Sequence, residues 1–393
     1  MIRRLLDLAK HLSEGKSFFL FGPRGVGKTS LVREVLKSQV GVVNYNLLMG
    51  ETYRRFVTKT ELFRTEIEFE IRKQNHAIVF VDEVQRIPAL LHEVHYLIEE
   101  HKGKVQFILS GSSARKLRRE EANLLAGRAR YLKLHPITSV ECETPLERTL
   151  QLGQLPSVIE ELDQSYLEAY VDVYLREEIY QESVVRKQEV FTRFLDVAAQ
   201  LSGELINFSR VGRLCGTSDN TVKEYFQILV DTLLVHRLEA WSYSAVKQLS
   251  QQPRFYFFDT GVLNAVRGEV SSEPKLSSVR AGKLFEHLVI LEFIRLNDYY
   301  NRKYRFFHYR ERDREIDLIL NKSIKDPPIA IEIKIDGQPS SADLRMLQNF
   351  KSLHTKARCY CLTAGSSKYE ENGVVVLPWK EGIQEVLLQE NRV

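Results

Sequence analysis

The chain has 393 residues, 44% hydrophobic and 27% charged, and its 56 Lys and Arg against 52 Asp and Glu leave a net charge of +4. That length exceeds one small core and fits two to four domains, while the charge permits a nucleic-acid partner without requiring one. No run approaches the ~18 apolar residues of a membrane span, and Cys142, Cys215, Cys359 and Cys361 follow no disulfide or zinc spacing.

Met1-Ile2-Arg3-Arg4-Leu5-Leu6 soon meets Asp7, Lys10 and His11, so it lacks the apolar stretch of a signal peptide. The expectation is a reduced, cytoplasmic protein with no membrane partner, in which Cys359-Tyr360-Cys361 alternates across a strand. The first element, Phe18 to Phe21, reads as a strand, and an amphipathic helix begins near Thr29. Between them Gly22-Pro23-Arg24-Gly25-Val26-Gly27-Lys28-Thr29 fits the phosphate-binding loop pattern G-x-x-x-x-G-K-[ST]. Glycines let backbone N–H groups turn inward around phosphates, Lys28 supplies a point charge for the β and γ groups, and the Thr29 hydroxyl suits Mg²⁺. Gly22 through Ser30 is therefore the expected nucleotide-binding segment.

A second strand, His76 to Asp82, is an unbroken apolar run ending in Asp82-Glu83. Such a run reads as a parallel strand buried on both faces, with its carboxylates at the edge where open α/β sheets bind ligands. Asp82 is the candidate for Mg²⁺ and Glu83 the candidate general base for an attacking water. A third strand, Lys104 to Leu109, ends at Ser110-Gly111-Ser112-Ser113. Ser110 is either a sensor that hydrogen-bonds water or the γ-phosphate, or a turn serine. In Leu124-Leu125-Ala126-Gly127-Arg128, Arg128 is either a finger offered to a neighbouring subunit's γ-phosphate or a solvated surface arginine.

In this order, Gly22 to Thr29, Asp82-Glu83, Ser110 to Ser113 and Leu125 to Arg128 resemble the AAA-type ATPases of bacteria and archaea that carry a C-terminal extension. The resemblance implies ATP as the nucleotide and assembly between subunits, a homo-oligomer through the ATPase domain. Ser110 stands where that family often has Thr.

From Pro136 to about Phe194 the pattern is helical, with Tyr166, Leu167, Tyr170, Val171 and Tyr174 on one stripe, as a lid subdomain would be. Arg176 is either a lid arginine sensing nucleotide or part of a solvated helix face. Asn207 to Gly216 and Asp219 to Leu229 read as two short helices across a Thr217-Ser218 turn, followed by a wing strand at Leu233 to Leu238. This winged-helix layout would offer Asn220, Thr221, Lys223 and Gln227 outward, either to DNA or as a docking scaffold.

In Ile329 to Ile335, alternation puts four isoleucines on one side and Ala330, Glu332 and Lys334 on the other. The same rule in Glu315 to Leu320 sets Asp317 opposite Ile316, Leu318 and Leu320. With Glu286 from an upstream helix, these carboxylates could bind Mg²⁺ through oxygen ligands, the metal activating a water toward a phosphodiester, while Lys334 orients that water or stabilises charge. A surface ladder of salt bridges is the alternative. Phe258-Asp259-Thr260-Gly261, Leu284-Phe285-Glu286, Glu315-Ile316-Asp317 and Ile331-Glu332-Ile333-Lys334 resemble, in order, the motifs of the PD-(D/E)XK nuclease fold. Arg302 to Arg310 mixes cations and aromatics as a nucleic-acid groove or a two-sided strand would.

The expected architecture is α/β: an AAA-type P-loop core at 1–135, a helical lid at 136–195, a winged helix at 196–250 and an α/β nuclease-like domain at 251–393. The expected function is ATP binding and hydrolysis coupled to DNA, with a Mg²⁺-dependent module that cuts or grips it. The alternative is a nucleotide-gated interaction or signalling ATPase whose nuclease-like domain does not cleave.

Overall fold

The apolar run after Lys16 becomes β1 (Ser17–Phe21), buried at every position because it is a central parallel strand. The structure, a computed structural model, describes residues 2–113, 125–161, 164–175, 188–242, 244, 251–311, 314–323 and 325–388. Arg176 and most of the stretch before Arg128 lie outside the described residues. β2 (Val42–Asn46), β3 (Ala77–Asp82), β4 (Val105–Gly111) and β5 (Ala129–Lys133) complete a sheet of order β2-β3-β4-β1-β5 in which every pair is parallel. Alternate residues of β1 feed two cores: Phe18 and Leu20 join one, Phe19 and Phe21 the other. Strand order reverses beside β1, which puts the loop after Phe21 at the switch point where open α/β sheets bind ligands.

After β5 the chain forms the helices Leu146–Leu152, Pro156–Glu161 and Gln164–Ala169, and one π turn, Tyr170–Leu175. The helix Gln188–Gln200 crosses the boundary expected at 195/196 and packs on the helices Phe208–Cys215 and Asp219–Asp231. Asn207 and Ser218 cap these two helices with side-chain oxygens, a standard way to satisfy orphan N–H groups. Asn220, Lys223 and Gln227 are exposed on the second helix, and Thr221 is half-buried. β6 (Val235–Ala240) and β7 (Arg254–Phe257) form an antiparallel pair beside the three helices, so β7, beyond the boundary expected at 250, pairs back to this unit. The ring of Phe226 stacks on Phe255 of β7 at 4.1 Å, one of several aromatic pairs worth about 0.5–1.5 kcal/mol each.

The remaining chain follows the order helix, three strands, helix, strand. The helix Val279–Tyr299 precedes β8 (Arg305–Glu311), β9 (Arg314–Asn321) and β10 (Ile329–Lys334), and the helix Ser341–Leu353 leads to β11 (Arg358–Thr363). β8, β9 and β10 are antiparallel neighbours, whereas β10 and β11 are parallel. β12 (Tyr369–Glu371) and β13 (Val374–Pro378) extend one edge; β6 runs parallel to β8 at the other, fusing both units into one eight-stranded sheet. Arg302 to Arg310 thus lies in and before a two-sided strand, with Phe307 and His308 buried. Cys359 and Cys361 sit on one face of β11 and Tyr360 on the other, and all four cysteines are free. No helix among the described residues is long and apolar enough to cross a membrane.

Strict alternation fails in β9. The β8–β9 register slips between Phe307 and Tyr309, so Ile316 joins Ile319 and Ala330 in the outer cluster while Leu318 and Leu320 stay in the main core. An irregularity of this kind re-aims side chains at a strand's end, and here the re-aimed end carries Asp317.

A buried ionic clasp holds the units together. Asp259 accepts hydrogen bonds from the backbone N–H of Gln154 (2.7 Å), Gly261 (2.9 Å) and Val262 (3.1 Å). Arg295 donates to the Phe258 carbonyl (2.9 Å) and to Gln154 Oε1, and lies 3.4 Å from Glu292 and 3.9 Å from Asp259. Glu292 in turn accepts from the backbone N–H and hydroxyl of Ser139 (3.0 and 2.7 Å). Gly153 sits at φ +70° where an added Cβ would run into Asp259 Oδ1, so the close approach requires glycine. The Phe258 to Gly261 motif therefore works here as an anchor between the segment joining the helices Leu146–Leu152 and Pro156–Glu161 and the C-terminal unit.

Candidate functional site

The loop after β1 closes through Gly25 and Gly27, at φ +82° and +90°, conformations open to glycine and strained for other residues. Gly22 packs so closely on the Leu134 carbonyl that any side chain would collide. The helix Lys28–Leu36 then starts with its N-terminus, the positive end of its dipole, at the loop. Lys28 is buried and donates to the carbonyls of Gly22 (2.8 Å) and Pro23 (3.0 Å). Thr29 Oγ1 donates to Asp82 Oδ2 at 2.8 Å, and Ser110 Oγ donates to Asp82 Oδ1. The backbone N–H of Glu83 reaches Ser110 at 3.4 Å. Lys28, Thr29, Asp82 and Ser110, contributed by three different strand ends, thus meet at one corner of the sheet.

Glu83 is held at φ +60°, a strained setting for a side-chain-bearing residue. Its carboxylate accepts from the Gln85 amide (2.5 Å) and the Ser112 hydroxyl (3.3 Å). Gln85 also donates to Ser112 at 3.1 Å. Sequence patterns did not single out Gln85 or Ser112 as site residues; the only signal was proximity to Asp82 and Ser110. Gly111 leaves room for Gln85, since a Cβ there would lie 2.6 Å from Gln85 Oε1.

Two further groups reach the loop from afar. Arg4 donates to the Val26 carbonyl (2.9 Å), the His135 carbonyl (2.6 Å), Tyr299 OH (3.1 Å) and Glu141 (3.0 Å). Tyr170, from the stripe expected to be packing, donates to the Arg24 carbonyl at 3.1 Å. A cavity of about 220 Å³ opens beside Gly25 and Gly27, walled by Ile2, Leu31, Ile137 and Pro156. Arg128 is placed elsewhere: it pairs with Glu99 at the start of β5, and Ala129 aligns with Ser17, the end of β1 opposite the loop.

The second group lies between β7, β9, β10 and the helix Val279–Tyr299. Lys334 pairs with Glu332 at 2.7 Å, Asp317 Oδ2 accepts the Ile333 N–H at 2.8 Å, and Tyr256 OH donates to Glu286 at 2.7 Å. Burial and the Asp317 charge push Glu286 up to about 7, against the pull of Arg254. Burial and Asp317 likewise hold Glu332 well above the carboxylate range, and burial raises Asp317. Burial opposes charge on Lys334, but Glu332 and Asp317 outweigh it and keep the ammonium protonated. Among the described residues no three His, Cys, Asp or Glu side chains form a set able to hold a metal ion as they stand, and Lys334, the Ile333 N–H and the Tyr256 hydroxyl each engage one oxygen of Glu332, Asp317 and Glu286. The second oxygen of Glu332, Oε2, is buried with no hydrogen-bond partner, and an oxygen in that state suits a hard cation.

His287, next to Glu286, is held by the Phe257 carbonyl at 2.6 Å, and burial drives it down to about 3. An unfolded His takes a proton near pH 6.5, so the stability tied to its neutral form is present above that pH and lost as pH falls toward 3. Compared with His287→Gln, the wild type is expected to lose about 1–2 kcal/mol more between pH 7 and pH 5. Urea denaturation at both pH values reads this; parallel losses would contradict it.

Residues 14–143 match the family model described as an AAA domain. This segment is a P-loop ATPase-type domain. Residues 145–273 and 281–381 match two models described as domains of unknown function, DUF8612 and DUF4143. The first runs from the helix Leu146–Leu152 through β7 and the clasp at Asp259, as the packing does. The chain is similar to an uncharacterized protein of Mycobacterium tuberculosis, 25% identical over 345 residues, 85% of this chain and 73% of that one. An uncharacterized protein of Haemophilus influenzae is 23% identical over 369 residues, covering 86% and 88%. Among solved structures, the Aeropyrum pernix ORC1 protein in complex with DNA aligns at 14% identity and TM-score 0.32, over 70% of this chain and 93% of that chain. The A. pernix ORC2 protein aligns at 14% and 0.29, over 67% and 92%. Scores that low do not establish a shared overall fold.

Proposed function

We propose that the chain binds and hydrolyses ATP at Gly22 to Ser30 and uses that cycle to control a DNA-handling module formed by the winged helix and the C-terminal unit. The carrying observation is the convergence of Lys28, Thr29, Asp82 and Ser110 at one sheet corner. Lys28 leaves the Gly22 and Pro23 carbonyls for the β and γ phosphates, whose oxygens replace those acceptors. Thr29 and Asp82 are the oxygen donors for Mg²⁺, which when bound neutralises developing phosphate charge. Ile2, Leu31, Ile137 and Pro156 offer an apolar wall for the base. Glu83, released from Gln85 and Ser112, orients and deprotonates the attacking water.

A route to the distal unit starts at the loop itself. Arg4 ties Val26 to Tyr299, and His135 Nε2 lies 2.9 Å from Asp298, at the end of the helix that also carries Glu286. In the distal unit the strand order and the grouping of Glu286, Asp317, Glu332 and Lys334 support a nuclease-like fold. Glu332, Asp317 and Glu286 would hold Mg²⁺, which when bound activates water toward a phosphodiester, and Lys334 would steady the charge.

The second reading, a module that grips DNA or a protein without cutting, is favoured by the internal pairing of those carboxylates. Supercoiled plasmid with Mg²⁺ and ATP separates the two. Nicking that disappears in Asp317→Ala and Glu332→Ala but persists in Glu83→Gln supports the nuclease. Intact plasmid with salt-dependent binding supports the gripping module, and neither nicking nor binding contradicts both DNA readings and leaves only a protein partner.

A further inference from the structure

We infer that Arg254, carried by β7 outside the C-terminal unit, is the built-in counter-ion of the acidic group and competes with a divalent cation for Glu286. The inference rests on the reading of that group as a cation site. Arg254 is 5% exposed although it stands on the edge strand of the sheet. Its Nη1 lies 3.5 Å from Glu286 Oε1 and its Nη2 pairs with Glu315 Oε2. Its Nε is buried without a partner, so the guanidinium is held by its carboxylates and by a hydrogen bond with Tyr256, not by a complete hydrogen-bond shell. Tyr256, two residues on and on the same face of β7, donates its hydroxyl to the same Glu286 oxygen that faces Arg254. β7 thus closes one side of the group with a cation and a donor, while Lys334 closes the other through Glu332 at 2.7 Å.

Arg254 and Tyr256 both use Glu286 Oε1, so a hard cation that takes this carboxylate must share it with the guanidinium's charge. A cation entering beside the unpartnered Glu332 Oε2 and taking Glu286 is opposed by the positive charge of Arg254 at the same carboxylate. β7 belongs to the hairpin packed on the three-helix unit, so the seat of that hairpin sets how readily the group accepts metal. Arg254 is in this sense a positioning residue, and the ligand class is a hard divalent cation with oxygen preference.

Mn²⁺ titration of the full chain, followed by electron paramagnetic resonance, tests this without any activity. Arg254→Gln keeps hydrogen-bonding capacity and removes the charge, and it is expected to bind Mn²⁺ about tenfold more tightly or better, a gain cancelled by adding Glu286→Gln. Tyr256→Phe, which removes one hydroxyl and preserves the ring packing, is expected to tighten binding in the same direction and stands in if Arg254→Gln fails to fold. Wild-type binding that is lost in Glu332→Gln but unchanged or weaker in both β7 variants would overturn the inference and leave the cation site standing. Absence of any Glu332-dependent binding in all the proteins would overturn both.

Discussion

Asp259→Ala is expected to lower the stability of the chain by about 3–5 kcal/mol, the usual cost of breaking a buried ion pair from one side. The carboxylate is fully enclosed and accepts three backbone N–H groups, from Gln154, Gly261 and Val262, all of which lose their acceptor in the variant. Arg295, 1% exposed, keeps Glu292 as its sole remaining carboxylate partner among the described residues. Asp259→Asn retains an acceptor oxygen and is expected to cost less. Because the clasp joins the segment after the helix Leu146–Leu152 to the helix Val279–Tyr299, the loss should appear as an earlier urea midpoint for the whole molecule. A normal midpoint in Asp259→Ala, with only DNA handling impaired, would mean that Phe258 to Gly261 acts in chemistry and not as an anchor.

Glu83→Gln is expected to slow ATP turnover by about 10²–10⁴-fold while leaving ATP bound, because the amide keeps the shape and loses the base. In the resting state Glu83 accepts from Gln85 and Ser112 through one oxygen, a role the amide oxygen of glutamine can keep, although its NH2 group must then face away from those donors. Steady-state phosphate release against nucleotide affinity separates the two effects: a fall in both together would point to damage of the loop. Mixing this variant with Arg128→Ala examines the assembly reading. Arg128 sits at the sheet end opposite its own loop, so regained turnover in the mixture would place it on a neighbour's phosphate, and additive losses would leave it a partner of Glu99.

What could be read from the sequence was local. Gly22 to Thr29 carries its chemistry in one unbroken spacing, and the carboxylates at the end of β3 and the serine at the end of β4 follow from reading each apolar run to its last residue. The turn and cap at Ser218 were equally visible, since a cap acts on residues two or three positions away. Contacts across the chain were not visible. Arg4 reaches Val26 and Tyr299, and Tyr170 reaches Arg24, through tertiary packing that no periodicity encodes. Asp259 looked like a motif carboxylate because its partner Arg295 is 36 residues away on another element. The alternation rule failed at Ile316 because a register slip adds half a period that residue types do not announce. Arg254 escaped notice for a simpler reason: no strand was read at Arg254–Phe257, so nothing placed its side chain beside Glu286 and Glu315.

The central claim is that the corner formed by Lys28, Thr29, Asp82 and Ser110 is a nucleotide site. Isothermal titration of the full chain with ATP and Mg²⁺ tests it most directly. The wild type and Glu83→Gln should both release heat and saturate at one nucleotide per chain, and Lys28→Ala should show no saturable heat. Equal binding by Lys28→Ala, or no heat from the wild type, would contradict the account.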